Sequence, residues 1–396
     1  MSAAPPARLG RVAILLTAVV GLGALSIDMF LPSLPALAAF YHTDAATAQL
    51  TVTLFLAGLA PAQLVWGPLS DRFGRRRILL SGLGLYAAAG LGCALAPGIR
   101  LLIVARVIQA FGAGCGQVIA RAIVRDVYPR DQAARVLGLM GTAQALNPIL
   151  APVLGGFVHI AFGWRAVFFV LAGFGTLFAL AAAAVAPETN VQPDVTALHP
   201  ARFAENVGTL LMDRSYLGYV AVVTFMFSGQ FAFISGSSFV LISGLGVSPD
   251  VYGICFGAVA VGIMTGSFLT SRLTRRVGGD PLIMVGTGLG ATAGVVMAAL
   301  AWGGARSVAA VIVPMFFFAF GLGLSNPNAV AGAVGPYPRM AGLAAAVLGV
   351  IQMTGSALYG IGVGHVSDGT AVSMATAIAS AGLAAFVAFA LLRRRG

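Results

Sequence analysis

Long apolar stretches fill almost the whole chain, each parted from the next by a short cluster of charge, proline or glycine. A helix that crosses a bilayer needs ~20 mostly apolar residues. The stretches 12–36, 47–68, 77–97, 99–121, 134–159 and 163–186 meet that length. So do 215–243, 249–271, 280–302, 307–328, 341–364 and 370–392. The longest polar stretch, PETNVQPDVTALHPARFAENVGTLLMDR (187–214), divides six spans from six. The pattern predicts an all-α membrane protein with twelve transmembrane helices in two pseudo-symmetric six-helix bundles. Residues 1–186 would form the N-terminal bundle, 187–214 a cytoplasmic connector and 215–396 the C-terminal bundle.

Composition agrees. Hydrophobic residues make up 59% of the chain and charged ones 9%, and the mean hydropathy is +0.95. A soluble domain carries about 25% charged residues, so the solvent for this chain is lipid. The net charge of +11 would suit a nucleic-acid partner if it were concentrated in one domain. Instead the arginines sit at the ends of apolar runs, and no lysine accompanies them. Cys93, Cys115 and Cys255 fall inside apolar runs without metal-ligand spacing, so neither a disulfide framework nor a metal is expected. Arg8 and Arg11 followed by apolar residues resemble a signal peptide, but no A-x-A site follows, which predicts an uncleaved first helix.

Arginine bias sets the expected orientation. With the N-terminus inside, nineteen of the 23 basic residues fall on inner segments, three (Arg100, Arg165, Arg306) fall on outer loops, and Arg106 lies within a span. Both termini are therefore expected in the cytoplasm. The densest cluster is GPLSDRFGRRRILL (67–80), at the inner turn between the second and third spans. Shifting the chain by 200 residues lays SRLTRR (271–276) under DRFGRR (71–76), as a duplicated six-helix unit would.

That cluster resembles the loop signature of the major facilitator superfamily, G-x-L-x-D-R-x-G-R-[RK]-[RK]. Gly67, Leu69, Asp71, Arg72, Gly74, Arg75, Arg76 and Arg77 all match. RVIQAFGAG (106–114) is similar to the fourth-helix motif, with Arg106, Gln109 and Gly112 in place. GLMGTAQALNPILAPVLGG (138–156) is similar to the fifth-helix antiporter motif. It keeps Gly138, Pro152, Gly155 and Gly156 but has Asn147 and Ala151 at usual glycine positions. IDMFLPSLP (27–35) resembles the first helix of the Bcr/CflA branch, which contains bicyclomycin and chloramphenicol exporters. The resemblance implies a multi-pass protein of the bacterial inner membrane that exchanges drugs for protons. It would act as a monomer without cofactor or enzyme activity.

Two ionisable residues lie within the spans, Asp28 and Arg106. A charge at the bilayer centre costs at least ~2.5–3.5 kcal/mol, so such residues face a cavity or a partner. At 1.5 Å per residue both lie ~10 Å below the outer surface, which makes them natural partners. One reading is proton coupling, because apolar surroundings make a carboxyl hold its proton and a nearby cation loosens it. The other is a permanent ion pair that locks two helices. Arg106, Ala110, Ala113, Gln117 and Arg121 share one helical face. That face suits either the wall of a water-filled path, with Gln109 beside it, or a helix interface of small residues.

At the inner turn, Asp71 and Arg75 are four apart and can pair. The resemblance implies that an acid at the inner end of the fourth helix joins them in a charge relay, and Asp126 is that acid here. Arg76 and Arg77 read as topology anchors. In the second half the spans carry only polar neutrals and aromatics. Gln230, Phe231, Phe233, Asn326, Gln352 and Tyr359, with Asn147 of the first half, would suit a lipophilic molecule with few hydrogen-bonding groups. Export of an endogenous metabolite by the same machinery is the alternative function. A non-transporting receptor would need no buried charge. ATP drive is not expected, since no G-x-x-x-x-G-K-[ST] stretch occurs.

Overall fold

The structure, a computed structural model, describes residues 6–190, 207–337, 340–366 and 370–392. Among them every regular element is helical. In chain order the long helices are α1 Pro6–Asp28, α2 Ala45–Phe73, α3 Arg75–Ala94, α4 Ile99–Val127, α5 Arg130–Phe162 and α6 Trp164–Val185. There follow α7 Arg214–Ser238, α8 Pro249–Val277, α9 Gly279–Trp302, α10 Val308–Val334, α11 Ala341–Val366 and α12 Ala371–Leu392. Eleven spans are long and apolar enough to cross a membrane, and α5 makes a twelfth as a bent pair. Hydrocarbon offers no hydrogen bonds, so each backbone N–H and C=O must find its partner within the protein, which a helix achieves along its own length. The interior of the connector (191–206), and with it Arg202, lies outside the described residues, as do Arg339 and Arg393–Arg395.

The first predicted span differs from what the structure contains. α1 stops at Asp28, and a 3₁₀ turn (Leu31–Ser33) and a short helix (Leu34–Phe40) continue the run. Pro32 and Pro35 cause the break, because neither has an N–H to give to the carbonyl four residues earlier. At the other side of the repeat, α7 passes into a π-helical turn, Phe239–Gly244.

The chain packs as two compact units. One holds residues 1–30 and 54–199, the other 31–53 and 200–396. The sequence-based bundles, 1–186 and 215–396, carry no such excursion of residues 31–53. In the second unit that excursion buries Leu31, Pro32, Ser33 and Leu34, with the 3₁₀ turn against α7 and α8.

Each unit is built around one glycine-rich helix, and the two correspond. α4 carries Phe111-Gly112-Ala113-Gly114 and α10 carries Phe320-Gly321-Leu322-Gly323. A Cβ on Gly112 would lie 2.7 Å from the backbone nitrogen of Tyr86 and 2.8 Å from the carbonyl of Gly82, both on α3. Gly114 faces Ala62 of α2. In α10, Gly321 abuts the backbone of Gly286 and Gly290 on α9, and Gly323 that of Ile263 and Ser267 on α8. Lipid tails are as apolar as leucine, so helices gain by packing closely rather than by escaping water.

The duplication also has a register that the arginines misreport. α2 and α3 are joined by Gly74 at φ +97°, and α8 and α9 by Gly278 at φ +88°, a left-handed backbone that glycine adopts without strain. Gly74 and Gly278 are 204 residues apart, so the turns correspond four residues away from the 200-residue arginine match. Four residues is about one helical turn. Arg272, Arg275 and Arg276 thus end α8, whereas Arg75, Arg76 and Arg77 begin α3.

Helix α5 bends by 42° between Val136–Gln144 and Leu146–Phe162. Pro148 and Pro152 follow the bend, each removing one helical hydrogen bond. Beyond it Gly155 meets the backbone of Met29, which brings α1 and α5 together.

Gly112→Ala should push α3 and α4 apart, because the atoms in the way are backbone. Overpacking of this kind costs about 1–3 kcal/mol. A lowered melting temperature of the purified protein in detergent is expected, whereas Gly84→Ala, whose Cβ meets nothing within 4 Å, should leave it unchanged.

Candidate functional site

Arg75 opens α3, one residue past the glycine turn, and its side chain gathers three neighbours. Nη1 lies 2.5 Å from the Asp71 carboxylate and Nε 3.2 Å from that of Asp126 at the end of α4. Nη1 also donates to the Ser70 hydroxyl at 2.5 Å. The guanidinium is a flat fork with five donors, so one arginine can hold α2 and α4 to the head of α3 at once. Its side chain is 15% exposed, against 38% for Asp71 and 29% for Asp126. Arg72 turns outward over the exposed ring of Phe73, and Gly67 leaves ordinary room against Val118.

Sequence reasoning missed a further set of residues here. Glu188, Thr189 and Asn190 follow α6 directly. The Glu188 carboxylate accepts the backbone N–H of Arg75 at 2.8 Å and of Arg76 at 3.2 Å, filling the donor-rich start of α3. Gly74 leaves the space: a Cβ there would lie 2.5 Å from the Glu188 carboxylate. The Thr189 hydroxyl donates to Asp126 at 2.9 Å, and the Asn190 amide donates to the carbonyls of Ser70 (3.2 Å) and Asp71. PETN reads in the sequence as the first residues of a polar linker, and no spacing signals its role.

Deeper in the first unit, Arg106 is fully buried. Its guanidinium carbon lies 4.0 Å from the ring centre of Phe55, 5.4 Å from that of Phe30 and 5.7 Å from that of Phe168. Nη1 donates to the Gln109 side chain at 2.8 Å and Nη2 to the Ser26 carbonyl at 3.2 Å. The Ser26 hydroxyl shares a 2.6 Å hydrogen bond with that of Tyr86. Desolvated cation–π contacts contribute up to ~2 kcal/mol each, so rings and amides carry much of what a carboxylate would supply. Phe30, Phe55 and Phe168 look in the sequence like any core aromatic.

Asp28 is 5% exposed, yet no ion pair joins it to Arg106; the two ion pairs among the described residues are those of Arg75. Arg106 stands level with this part of α1 but not on the face that carries Asp28. Arg106 meets α1 at Ser26 and stacks on Phe30, one face four residues apart, and Asp28 is rotated about 200° from Ser26 at ~100° per residue. Asp28 instead continues the line Ile14, Thr17, Gly21 and Ala24, whose members are half-buried or exposed. Two turns below it the Asn147 amide of α5 donates to the Gly21 carbonyl at 2.8 Å.

The face expected on α4 divides into two parts. Arg106, Ala110 and Ala113 are wholly buried, and Ala110 packs under Gly58 of α2, so here the face is a helix interface. Gln117 is half-buried beside Gly23 of α1, and Arg121 is exposed. In α5, Pro152, Gly155 and Gly156 are buried, and Gly138 stands in open space at the exposed end.

In the second unit Gln230, Phe231 and Phe233 are all buried on α7. Phe233 stacks on Phe256 of α8, and Phe231 lies against Gly360 of α11. Polar atoms of Thr224, Gln230 and Ser238 on α7, and of Asn326 on α10, are buried without a hydrogen-bond partner among the described residues. Each such atom costs about 1–3 kcal/mol. Gln352 is half-buried, and the Tyr359 hydroxyl is tied to α12 through the Ala377 carbonyl (2.5 Å) and Ser380 (2.7 Å). No arginine latch is repeated among the described residues of this unit. Tyr219 of α7 donates to Asp280 just past the Gly278 turn at 2.8 Å, and Tyr337 donates to Asp213. Among the described residues no group of three His, Cys, Asp or Glu could hold a metal ion.

Similarity to known proteins covers nearly the whole chain. The chain is 34% identical over 357 residues to the MFS-type transporter YdgK of Bacillus subtilis, spanning 89% of this chain and 88% of that one. It is 29% identical to a bicyclomycin resistance protein homolog of Haemophilus influenzae, over 88% and 87% of the two chains. It is 30% identical to the multidrug resistance protein MdtL of Escherichia coli, over 84% and 83%. Among solved structures, a D-xylose–proton symporter superposes with a TM-score of 0.78 at 17% identity, covering 97% of this chain and 96% of that one, and shares the fold. The sequence profile of the Major Facilitator Superfamily matches residues 16–363. With its twelve-span helical fold, the chain belongs to that superfamily of membrane transporters.

Proposed function

We propose that this protein exports lipophilic drugs across the bacterial inner membrane in exchange for protons, by alternating access of two six-helix halves (1–186 and 215–396). Both termini and the connector 187–214 would lie in the cytoplasm, and the protein would act as a monomer. The observation that carries this reading is Asp28. It is a buried carboxyl inside an apolar helix, on a face of α1 whose other members are half-buried or exposed, and among the described residues it has no counter-ion. A structural carboxyl at that depth would be paired, since its ionised form is too costly to leave alone. One that exchanges a proton must be able to lose its partner. Relatives named for bicyclomycin and multidrug resistance support the drug class.

Each proton entering down 100 mV supplies ~2.3 kcal/mol, enough for a concentration ratio of about 50. Asp28 converts that supply into drug movement if cation and proton compete for its carboxylate. Arg106, held in its aromatic cage one face away, contributes a fixed positive potential. The buried aromatics and unpartnered amides of α7 and α10 suit a substrate that offers ring surface and few donors. Arg75, between Asp71 and Asp126, latches one end of the cycle and releases in the other state, while Gly67 and Gly74 let α2, α3 and α4 close on it. The α5 bend, with Pro152, Gly155 and Gly156, would absorb the change of shape. Gln117 and Arg121 would line the inner part of the path.

Asp28→Asn removes the titrating group. Gradient-driven export and drug-driven proton movement in proteoliposomes should both vanish, while a neutral drug still binds. Unchanged proton movement would place coupling elsewhere. Asp71→Asn breaks the shorter arm of the latch, and transport should fall about tenfold at normal membrane levels. Transport at the parental rate would leave the arginines as topology anchors alone.

A further inference from the structure

The Arg75 latch as read above consists of two acids and a base, but in this protein a fourth element touches every part of it. We infer that Glu188, Thr189 and Asn190 form a clip that positions the latch and ties its state to the end of α6. This rests on the latch reading above and goes beyond it, to residues outside the loop signature.

The contacts divide by latch element. Glu188 holds the head of α3 through the N–H groups of Arg75 and Arg76, and it also accepts those of Thr189 (3.0 Å) and Asn190 (3.1 Å), which curls the clip back on itself. Asn190 holds the end of α2 through the carbonyls of Ser70, which also accepts the Gly74 N–H at 3.1 Å, and of Asp71. Thr189 holds the end of α4 by donating to the same Asp126 oxygen that Arg75 Nε approaches. Arg76 completes the ring by donating to the Ala183 carbonyl of α6 at 2.6 Å. A simple cap on α3 would need only the Glu188 carboxylate. The hydroxyl on Asp126 and the amide on the α2 carbonyls take no part in capping α3, and both act on the elements that carry the partners of Arg75.

The geometry has a mechanical consequence. Thr189 holds in place the Asp126 oxygen that the guanidinium also approaches, and Asn190 fixes where Asp71 stands. Moving residues 188–190 as a body would displace both acids from Arg75 together. Because the clip directly follows α6, a shift at the end of that helix reaches the latch without passing through the bilayer interior. The glycine at position 74 serves the clip as much as the turn, since its missing Cβ is the space in which the carboxylate sits.

The test uses the full-length protein with its three cysteines replaced and a single cysteine at Thr17, on the open face of α1. The rate of labelling by a membrane-impermeant maleimide, in inverted vesicles without drug, reports the balance of states and needs no substrate. Asp71→Asn serves as the reference. Thr189→Val keeps the cap on α3 and removes only the hydroxyl on Asp126. Glu188→Gln and Asn190→Ala remove the other two arms. The clip predicts that Thr189→Val and Asn190→Ala each change the labelling rate in the direction of Asp71→Asn, by about threefold. It also predicts that adding Thr189→Val to Asp71→Asn changes nothing further. If Asp71→Asn shifts the rate and none of the three clip variants does, the clip is overturned and the latch stands. If Asp71→Asn itself has no effect, the latch reading falls and the clip with it. Glu188→Gln acting alone, with Thr189→Val and Asn190→Ala silent, would reduce the segment to a helix cap and overturn the proposal.

Discussion

Arg75 owes its importance to a shortage. Within the bilayer no water is available to a polar group, so the places where helices can be held together by strong, directional ion pairs that water can also reach lie at their ends. There a guanidinium can pair, let go and find water again. A single arginine between Asp71 and Asp126 ties α2, α3 and α4, and Ser70, Thr189, Asn190 and Glu188 orient the partners. In the span, where rearrangement would strand a charge, the other notable arginine is held differently. Arg106 is wrapped by three phenyl rings and an amide. The same side chain serves as an ion-paired fastener at a partly exposed helix end and as a caged cation in the interior, and burial decides which.

The two halves solve the rim problem unequally. The glycine faces of α4 and α10 match residue for residue, and so do the left-handed turns at Gly74 and Gly278. Around the second turn, however, the charges are displaced by one helical turn. The arginines precede the glycine, and Asp280 follows it and takes a phenol from Tyr219. A phenol–carboxylate bond needs no cation. The arginine-centred ion pairs among the described residues thus belong to the first unit.

What the sequence could be made to say follows from how local each signal is. Helix number and approximate extent were legible, because twenty apolar residues admit one structure in lipid. The pairing of Asp71 with Arg75 was legible because they are four apart on one turn, and that of Asp126 because a family pattern singled out its place. Direction around a helix was harder. Asp28 and Arg106 do lie at one depth, but a two-residue offset from Ser26 turns Asp28 to another face. The stripe Arg106–Ala110–Ala113 follows helical spacing equally well whether it lines water or packs on α2, and the buried contact with Gly58 settled it. Pro32 and Pro35 announced a break that apolarity concealed. The clip was invisible, since Glu188, Thr189 and Asn190 act on residues more than a hundred positions away, and nothing in PETN distinguishes a clip from a linker.

The account turns on Asp28 changing partner between a proton and a substrate, and calorimetry with proton counting in solution tests this without a membrane. Tetraphenylphosphonium would be added to the purified protein in weakly buffered detergent while the pH is followed. If cation and proton compete for the Asp28 carboxyl, binding must expel protons, and the amount expelled must fall as the starting pH is raised, because fewer carboxyls then hold a proton to lose. Saturable binding with no proton released at any pH would contradict the account, and would mean that this buried carboxyl takes no part in the exchange.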